Sequence, residues 1–192
     1  MELRYPLTRY VYRPVSIPVA AVLAKTRITP THVTYVSALL SFGGGAAFAL
    51  RAYVLGAVLT LLGSITDCVD GDLARVSGRS SKSGSYLDHV LDRWTDSALI
   101  IGLTFSDLPE FAGVGIFALV GTFMTSYART KAQAVGTDCQ VGLASRDARM
   151  LILVIAGLSG FIFQGLAVVA VLGLATALYR MLWTIKRLDA DA

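Results

Sequence analysis

Charge is scarce in this chain. Of its 192 residues, 16% are Asp, Glu, Lys or Arg and 55% are hydrophobic, with a mean hydropathy of +0.63. Soluble domains run at about 25% charged and about 45–50% apolar, so an ordinary water-soluble domain is excluded. Disorder is excluded too, because it requires low hydrophobicity and high charge. Cysteine is almost missing: Cys68 and Cys139 are the only two, which leaves no disulfide framework. No internal repeat and no low-complexity tract is visible. No cleavable signal peptide is expected either. Residues 1–31 interleave Arg4, Arg9, Arg13, Lys25 and Arg27 with apolar residues, and Pro14 and Pro18 break the apolar core.

What the chain does have is a series of long apolar runs and 18 glycines. Small residues let membrane helices approach closely. A membrane core of about 30 Å takes about 20 apolar residues. Six candidate spans meet or approach that length: 32–50, 52–66 running on into a charged stretch, 86–105, 111–127, 150–163 and 165–185. The fifth is short and needs its polar flank from Arg146. Six spans place both termini on one side. With the N-terminus inside, only Arg51 of the 17 Lys and Arg falls in an outer loop. That asymmetry places both termini in the cytoplasm of a multi-pass membrane protein. The net charge of +4 then fits an anionic membrane surface rather than nucleic acid. The expected fold is all-α: six transmembrane helices preceded by an amphipathic helix lying on the cytoplasmic interface. The arm occupies residues 1–28, the membrane domain 29–187 and a short tail 188–192.

Chemistry concentrates in one stretch, Asp67-Cys68-Val69-Asp70-Gly71-Asp72-Leu73-Ala74-Arg75, followed by Gly84, Asp88 and Asp92. Charged residues at membrane depth are costly and usually functional. Asp67 and Asp70 stand at i, i+3, and Asp88 and Asp92 at i, i+4, so each pair shares one helix face. The link between them, residues 77–85, is short and rich in Ser and Gly. It folds the helices antiparallel and brings the pairs together. Four converging carboxylates repel unless cations neutralise them. An all-oxygen ligand set suits Mg²⁺ or Mn²⁺, or Ca²⁺, rather than zinc. Four Asp suffice for two ions about 3.5–4 Å apart, the spacing of phosphoryl chemistry. Gly71 leaves room for a ligand, Ala74 is small one turn on, and Arg75 offers a fixed fork for a phosphate. The plainer alternative is a set of interfacial Asp capping helices and pairing with Arg75, Arg79, Lys82 and Arg93. It does not explain the paired spacing with Gly and Ala-Arg at these offsets. A transporter would scatter its acids over several helices or show inverted repeats.

The pattern Asp67-x2-Asp70-Gly71-x2-Ala74-Arg75-x8-Gly84-x3-Asp88-x3-Asp92 resembles the signature of the CDP-alcohol phosphotransferases, integral membrane enzymes with six transmembrane helices, usually dimeric. All eight fixed positions of this 26-residue pattern are present. The resemblance implies that an alcohol hydroxyl attacks the β-phosphorus of a CDP-linked alcohol and CMP leaves. It assigns Asp67, Asp70, Asp88 and Asp92 to two Mg²⁺ or Mn²⁺ ions and makes Asp92 the general base as well. It places Gly71, Ala74, Arg75 and Gly84 around the cytidine diphosphate, with Thr31 and Thr34 of Thr29-Pro30-Thr31-His32-Val33-Thr34 as further nucleotide contacts. Pro30 and these hydroxyls also suit a plain helix start.

The acceptor is expected from the second inner loop, Ser126-Tyr127-Ala128-Arg129-Thr130-Lys131-Ala132 and then Arg146-Asp147-Ala148-Arg149. A phosphorylated acceptor needs cations there; glycerol or serine does not. The loop resembles the inositol-phosphate branch, the phosphatidylinositol-phosphate and archaetidylinositol-phosphate synthases. Arg129, Lys131, Arg146 and Arg149 are the candidates for the acceptor phosphate, although the inside bias alone would also place basic residues there. The donor is expected to be CDP-diacylglycerol or CDP-archaeol. The alternatives are di-myo-inositol-phosphate phosphate synthesis from CDP-inositol, as the residues 10–30 resemble the start of that membrane domain, or phosphatidylglycerophosphate synthesis. Asp96 continues the Asp88–Asp92 face as a partner for Arg93 or a further base. His32 and His89 are possible ligands, with His89 set about 100° from Asp88 and better suited to packing. Gly43-Gly44-Gly45 and Gly157-x2-Gly160 suit close helix packing, and Cys68 points away from the acids.

Overall fold

The computed structural model describes residues 12–142 and 145–191. These residues form seven helices and no strand: α1 (Arg13–Leu23), α2 (Pro30–Ala49), α3 (Tyr53–Val76), α4 (Lys82–Ser106), α5 (Leu108–Ala134), α6 (Arg146–Ser159) and α7 (Ile162–Asp191). Each of the six apolar runs is one helix, and most helices extend past the apolar run into polar flanks. Thus α7 continues to Asp191, into the stretch expected to be a tail. Three helices, α3, α5 and α7, are long and apolar enough to cross a membrane. Of the helices α2 to α7 the shortest, α6, has 14 residues, about 21 Å at 1.5 Å per residue. Residues 1–11 of the expected arm lie outside the described residues.

Local sequence sets the helix starts. Thr29 accepts from the His32 N–H at 3.3 Å, while His32 Nδ1 accepts from the Thr29 N–H, and Pro30 follows in the first turn. This reciprocal cap satisfies two donors that a helix start leaves open. His32 is thus a capping residue of α2. Ser81 caps α4 through the Gly84 N–H at 3.0 Å, and Ser145 caps α6 through the Ala148 N–H at 3.3 Å.

α2 packs against both α3 and α4, α5 against α7 and α4, α6 against α3 and α7, and α1 along α3. The main core joins Phe48, Leu99, Leu103, Met150, Leu153 and Leu166 from α2, α4, α6 and α7. A smaller one, Ala20, Val33, Val69 and Leu73, seats α1 on α2 and α3. The outward faces carry exposed apolar side chains such as Leu39, Leu50, Val54, Phe105 and Val171. Buried hydroxyls in the helices turn back to the preceding turn, as Thr60 does to the Gly56 carbonyl and Thr104 to the Ile100 carbonyl.

The tightest backbone-to-backbone approach at a glycine is between α2 and α4. A Cβ on Gly102 would sit 2.1 Å from the Gly45 carbonyl oxygen, and one on Gly45 would sit 2.5 Å from the Ala98 oxygen. The expected packing role of the α2 glycines is met at Gly44 and Gly45. Gly157 also packs closely, 2.9 Å from the Phe48 ring if given a Cβ. Gly160 departs from the expectation. Its φ is +79° with nothing within 4 Å of a built Cβ, so it ends α6 in the left-handed conformation that glycine favours.

Candidate active site

The acids stand on the C-terminal part of α3 and the N-terminal half of α4. The helix α3 does not stop with its apolar run; it carries the Asp67–Arg75 stretch to Val76, and Ser77 closes it by donating to the Leu73 carbonyl at 2.6 Å. Five residues, 77–81, then turn the chain back into α4. The turn is antiparallel, and oxygens of Asp67, Asp70 and Asp88 come within 4.8 Å of one another. Asp70 is 6% exposed, and its Oδ2 is buried without a hydrogen-bond partner. A buried carboxylate oxygen left open beside two more carboxylates is a poor arrangement for protein alone and a good one for a divalent cation. The residues present therefore fit the expected metal.

Asp92 lies one turn beyond Asp88 in the same cleft, a narrow one lined by Thr34, Ser37, Asp67, Asp88, Asp92 and Thr95. Asp92 is not among the three closely converged carboxylates. It is held by Arg146, whose guanidinium reaches Asp92 Oδ1 at 3.0 Å, Asp67 Oδ2 at 2.9 Å and Asp96 Oδ1 at 3.0 Å. The same group donates to Thr95 Oγ1 at 3.4 Å.

The expected nucleotide contacts are spread along this edge. Thr34 lines the cleft and donates to the Pro30 carbonyl at 3.1 Å; Thr31 is outside the lining. Gly71 and Ala74 are half-buried on α3, and a Cβ on Gly71 would make only ordinary contact with the Arg75 guanidinium at 3.6 Å. Gly84 is in the first turn of α4, where a Cβ would crowd the capping Ser81 hydroxyl at 2.9 Å. Arg75 is exposed and pairs with Asp72 at 2.6 Å. Asp72 is buried and also accepts from the Ser16 hydroxyl at 2.5 Å. One carboxylate thus ties α1 to α3 and holds the arginine's guanidinium.

The four basic candidates separate into two groups. Arg146 and Arg149 come together in the bundle, and Arg149, 2% exposed, lies within electrostatic reach of Asp96, Arg93, Arg146 and Arg180. Arg129 and Lys131 stay on the α5 end; Lys131 sits over the Tyr127 ring at 5.7 Å, and Arg129 is within reach of His89. Arg146 does not face an open anion site: its guanidinium is occupied by three carboxylates. Arg93 pairs with Asp96 at 3.1 Å and donates to the Ser126 hydroxyl of α5.

Sequence reasoning passed over Asp72, Ser16 and Arg180. Asp72 occupies a variable place in the residue pattern, and no local spacing connects it to Ser16. Arg180 donates to the Val141 carbonyl and the Thr125 carbonyl, both at 2.7 Å, which only the tertiary fold brings near. Asp96, fully buried, is indeed the partner of Arg93. His89 differs from the expectation: although exposed, its Nδ1 reaches Asp88 Oδ2 at 3.5 Å, because a neighbouring side chain can fold back along the helix. Both cysteines are free thiols.

Residues 27–183 match the family described as CDP-alcohol phosphatidyltransferase. The archaetidylinositol phosphate synthase of Pyrococcus horikoshii is 32% identical over 168 residues, covering 87% of this chain and 89% of that protein. The bifunctional IPC transferase and DIPP synthase of Rubrobacter xylanophilus is 35% identical over 182 residues, covering 92% of this chain and 42% of that longer protein. The Mycobacterium tuberculosis phosphatidylinositol phosphate synthase crystallised with CDP-DAG is similar in structure, with a TM-score of 0.79 and 27% identity over 89% of this chain and 94% of that one. The same synthase in complex with manganese and citrate also gives a TM-score of 0.79, at 28% identity over 89% of this chain and 88% of that one. The chain belongs to the CDP-alcohol phosphatidyltransferase family, and it is a transferase.

Proposed function

We propose that this protein transfers a phosphoalcohol group from a CDP-linked lipid, CDP-diacylglycerol or CDP-archaeol, to a hydroxyl of inositol-1-phosphate, releasing CMP in phospholipid synthesis. The observation that carries this reading is the convergence of Asp67, Asp70 and Asp88 within 4.8 Å, with Asp92 in the same cleft. Asp67, Asp70, Asp88 and Asp92 would hold two Mg²⁺ or Mn²⁺ ions. Bound there, such ions would neutralise the diphosphate and polarise the transferring phosphorus. Gly71, Ala74, Arg75 and Gly84, with Thr31 and Thr34, bind the cytidine diphosphate. Asp92 accepts the proton of the attacking hydroxyl. The new bond joins that oxygen to the β-phosphorus, the bridge to the α-phosphate breaks, and CMP carries away the electron pair. Arg129 and Lys131 draw the acceptor phosphate toward the site, and Arg149 and Arg146 join them once the Arg146 fork is freed from its carboxylates.

The setting is a cytoplasmic membrane. The six helices α2 to α7 span it, both termini and the site face the cytoplasm, and α1 lies on the interface, where its outward Val15, Ile17, Val19 and Val22 enter the lipid. The arm 1–28, the domain 29–187 and the tail 188–192 act in a homodimer. The long relative from Rubrobacter xylanophilus, matched over 92% of this chain, supports a second reading in which CDP-inositol is the donor. The purified protein with Mg²⁺ decides between them. CMP released with inositol-1-phosphate and a CDP-lipid supports the first reading. CMP released only with CDP-inositol supports the second. Release with glycerol-3-phosphate, serine or free inositol instead refutes the acceptor assignment.

A further inference from the structure

Arg146 opens α6 and reaches across the bundle to α3 and α4. It bonds to Asp67 on one side and to Asp92 and Asp96 on the other, each at about 3 Å. Its side chain is 21% exposed, so this is a largely enclosed cation with three carboxylate partners. Asp67 belongs to both groups: it faces Asp70 and Asp88 as one of three converged ligands, and it faces Arg146 with its Oδ2. Asp92 faces Arg146 rather than that trio. One divalent ion can therefore enter among Asp67, Asp70 and Asp88 with the arginine in place. A second ion, which requires Asp92, meets a fixed positive charge bonded to the same oxygens.

We propose that Arg146 is a built-in counter-ion that competes with the second metal ion for Asp67 and Asp92. This rests on the two-metal reading above and adds an order to it. The first ion binds a preformed trio; the second binds only as the Arg146 Nη1 leaves. Asp96 is the anchor that makes the exchange possible. It is fully buried, it holds Arg146 through Nε, and Arg93 on its other side completes its charge balance. The arginine thus pivots on Asp96 instead of leaving the bundle. In the metal-free protein the same contact neutralises a cluster that would otherwise repel itself. Once displaced, the fork is available to an anion, so by reciprocal linkage an acceptor that takes Arg146 also tightens the second ion.

The test is a Mn²⁺ titration of the purified full chain followed by electron paramagnetic resonance, with thermal unfolding in a chelator alongside. Wild type is expected to bind one ion tightly and a second more weakly. Arg146→Gln is expected to tighten the second ion by at least about tenfold, to leave the first unchanged, and to lower the unfolding temperature in chelator but not in Mn²⁺. Arg146→Lys keeps a charge without the fork and is expected to fall between the two; it serves alone if the Gln variant does not fold. A second-ion affinity that is unchanged or weaker in the variants overturns the competition. If wild type binds no Mn²⁺ at all, the metal reading itself has failed, which is a separate outcome.

Discussion

Substituting Gly102 by Ala places one methyl group at the α2–α4 crossing. Its Cβ would lie 2.1 Å from the Gly45 oxygen, 2.8 Å from the Gly45 carbonyl carbon and 3.0 Å from its Cα. All three neighbours are backbone atoms, so no rotamer change relieves the overlap. Carbon–oxygen contacts stand at roughly 3.3–3.6 Å, so the helices must part locally by more than about 1 Å. Overpacking of this kind costs about 1–3 kcal/mol. The consequence for the site follows from geometry. Thr34 and Ser37 on α2 face Asp88 and Asp92 on α4 across the cleft, and a shift of about 1 Å near reacting groups can cost on the order of 100-fold in rate. The expected result is a lower unfolding temperature together with at least about tenfold slower CMP release. Gly113→Ala is the control, because its Cβ would meet nothing within 4 Å. A Gly102→Ala protein as stable and as active as wild type would refute the claim that this crossing sets the cleft.

Three further outcomes follow from individual contacts. Asp70→Asn removes a ligand whose Oδ2 has no other partner, so Mn²⁺ affinity should fall at least about 100-fold, read by direct titration. Ser16→Ala removes a buried bond to the Asp72 carboxylate; it should cost about 2 kcal/mol and expose α1 to protease before the rest of the chain unfolds. Gly160→Ala puts a side chain at φ +79°; it should cost about 1–2 kcal/mol in thermal unfolding while CMP release stays at the wild-type rate.

The parts legible in the sequence are those governed by local spacing. The acid pairs at i, i+3 and i, i+4, the short polar link and the antiparallel return place Asp67, Asp70 and Asp88 together, as the structure does. Apolar runs locate six helices because a buried or lipid-facing helix needs continuous hydrophobicity, whereas their polar ends depend on caps such as Ser81 and Ser145. Pairings between distant elements were not legible. Arg146 and Asp67 are separated by 79 positions and Ser16 and Asp72 by 56, and nothing in either neighbourhood encodes the other. Gly157 and Gly160 look alike in sequence, yet one meets the Phe48 ring and the other ends a helix; only the tertiary packing separates them.

The central claim is that four carboxylates on α3 and α4 use divalent cations to transfer a phosphoalcohol group from a CDP-alcohol. Its most direct measurement is CMP release from CDP-diacylglycerol or CDP-archaeol and inositol-1-phosphate, with Mg²⁺, with excess chelator, and with Asp92→Asn in Mg²⁺. Release in Mg²⁺ alone, abolished by chelator and by the substitution, is the predicted result. Undiminished release in chelator, or by Asp92→Asn, would contradict it.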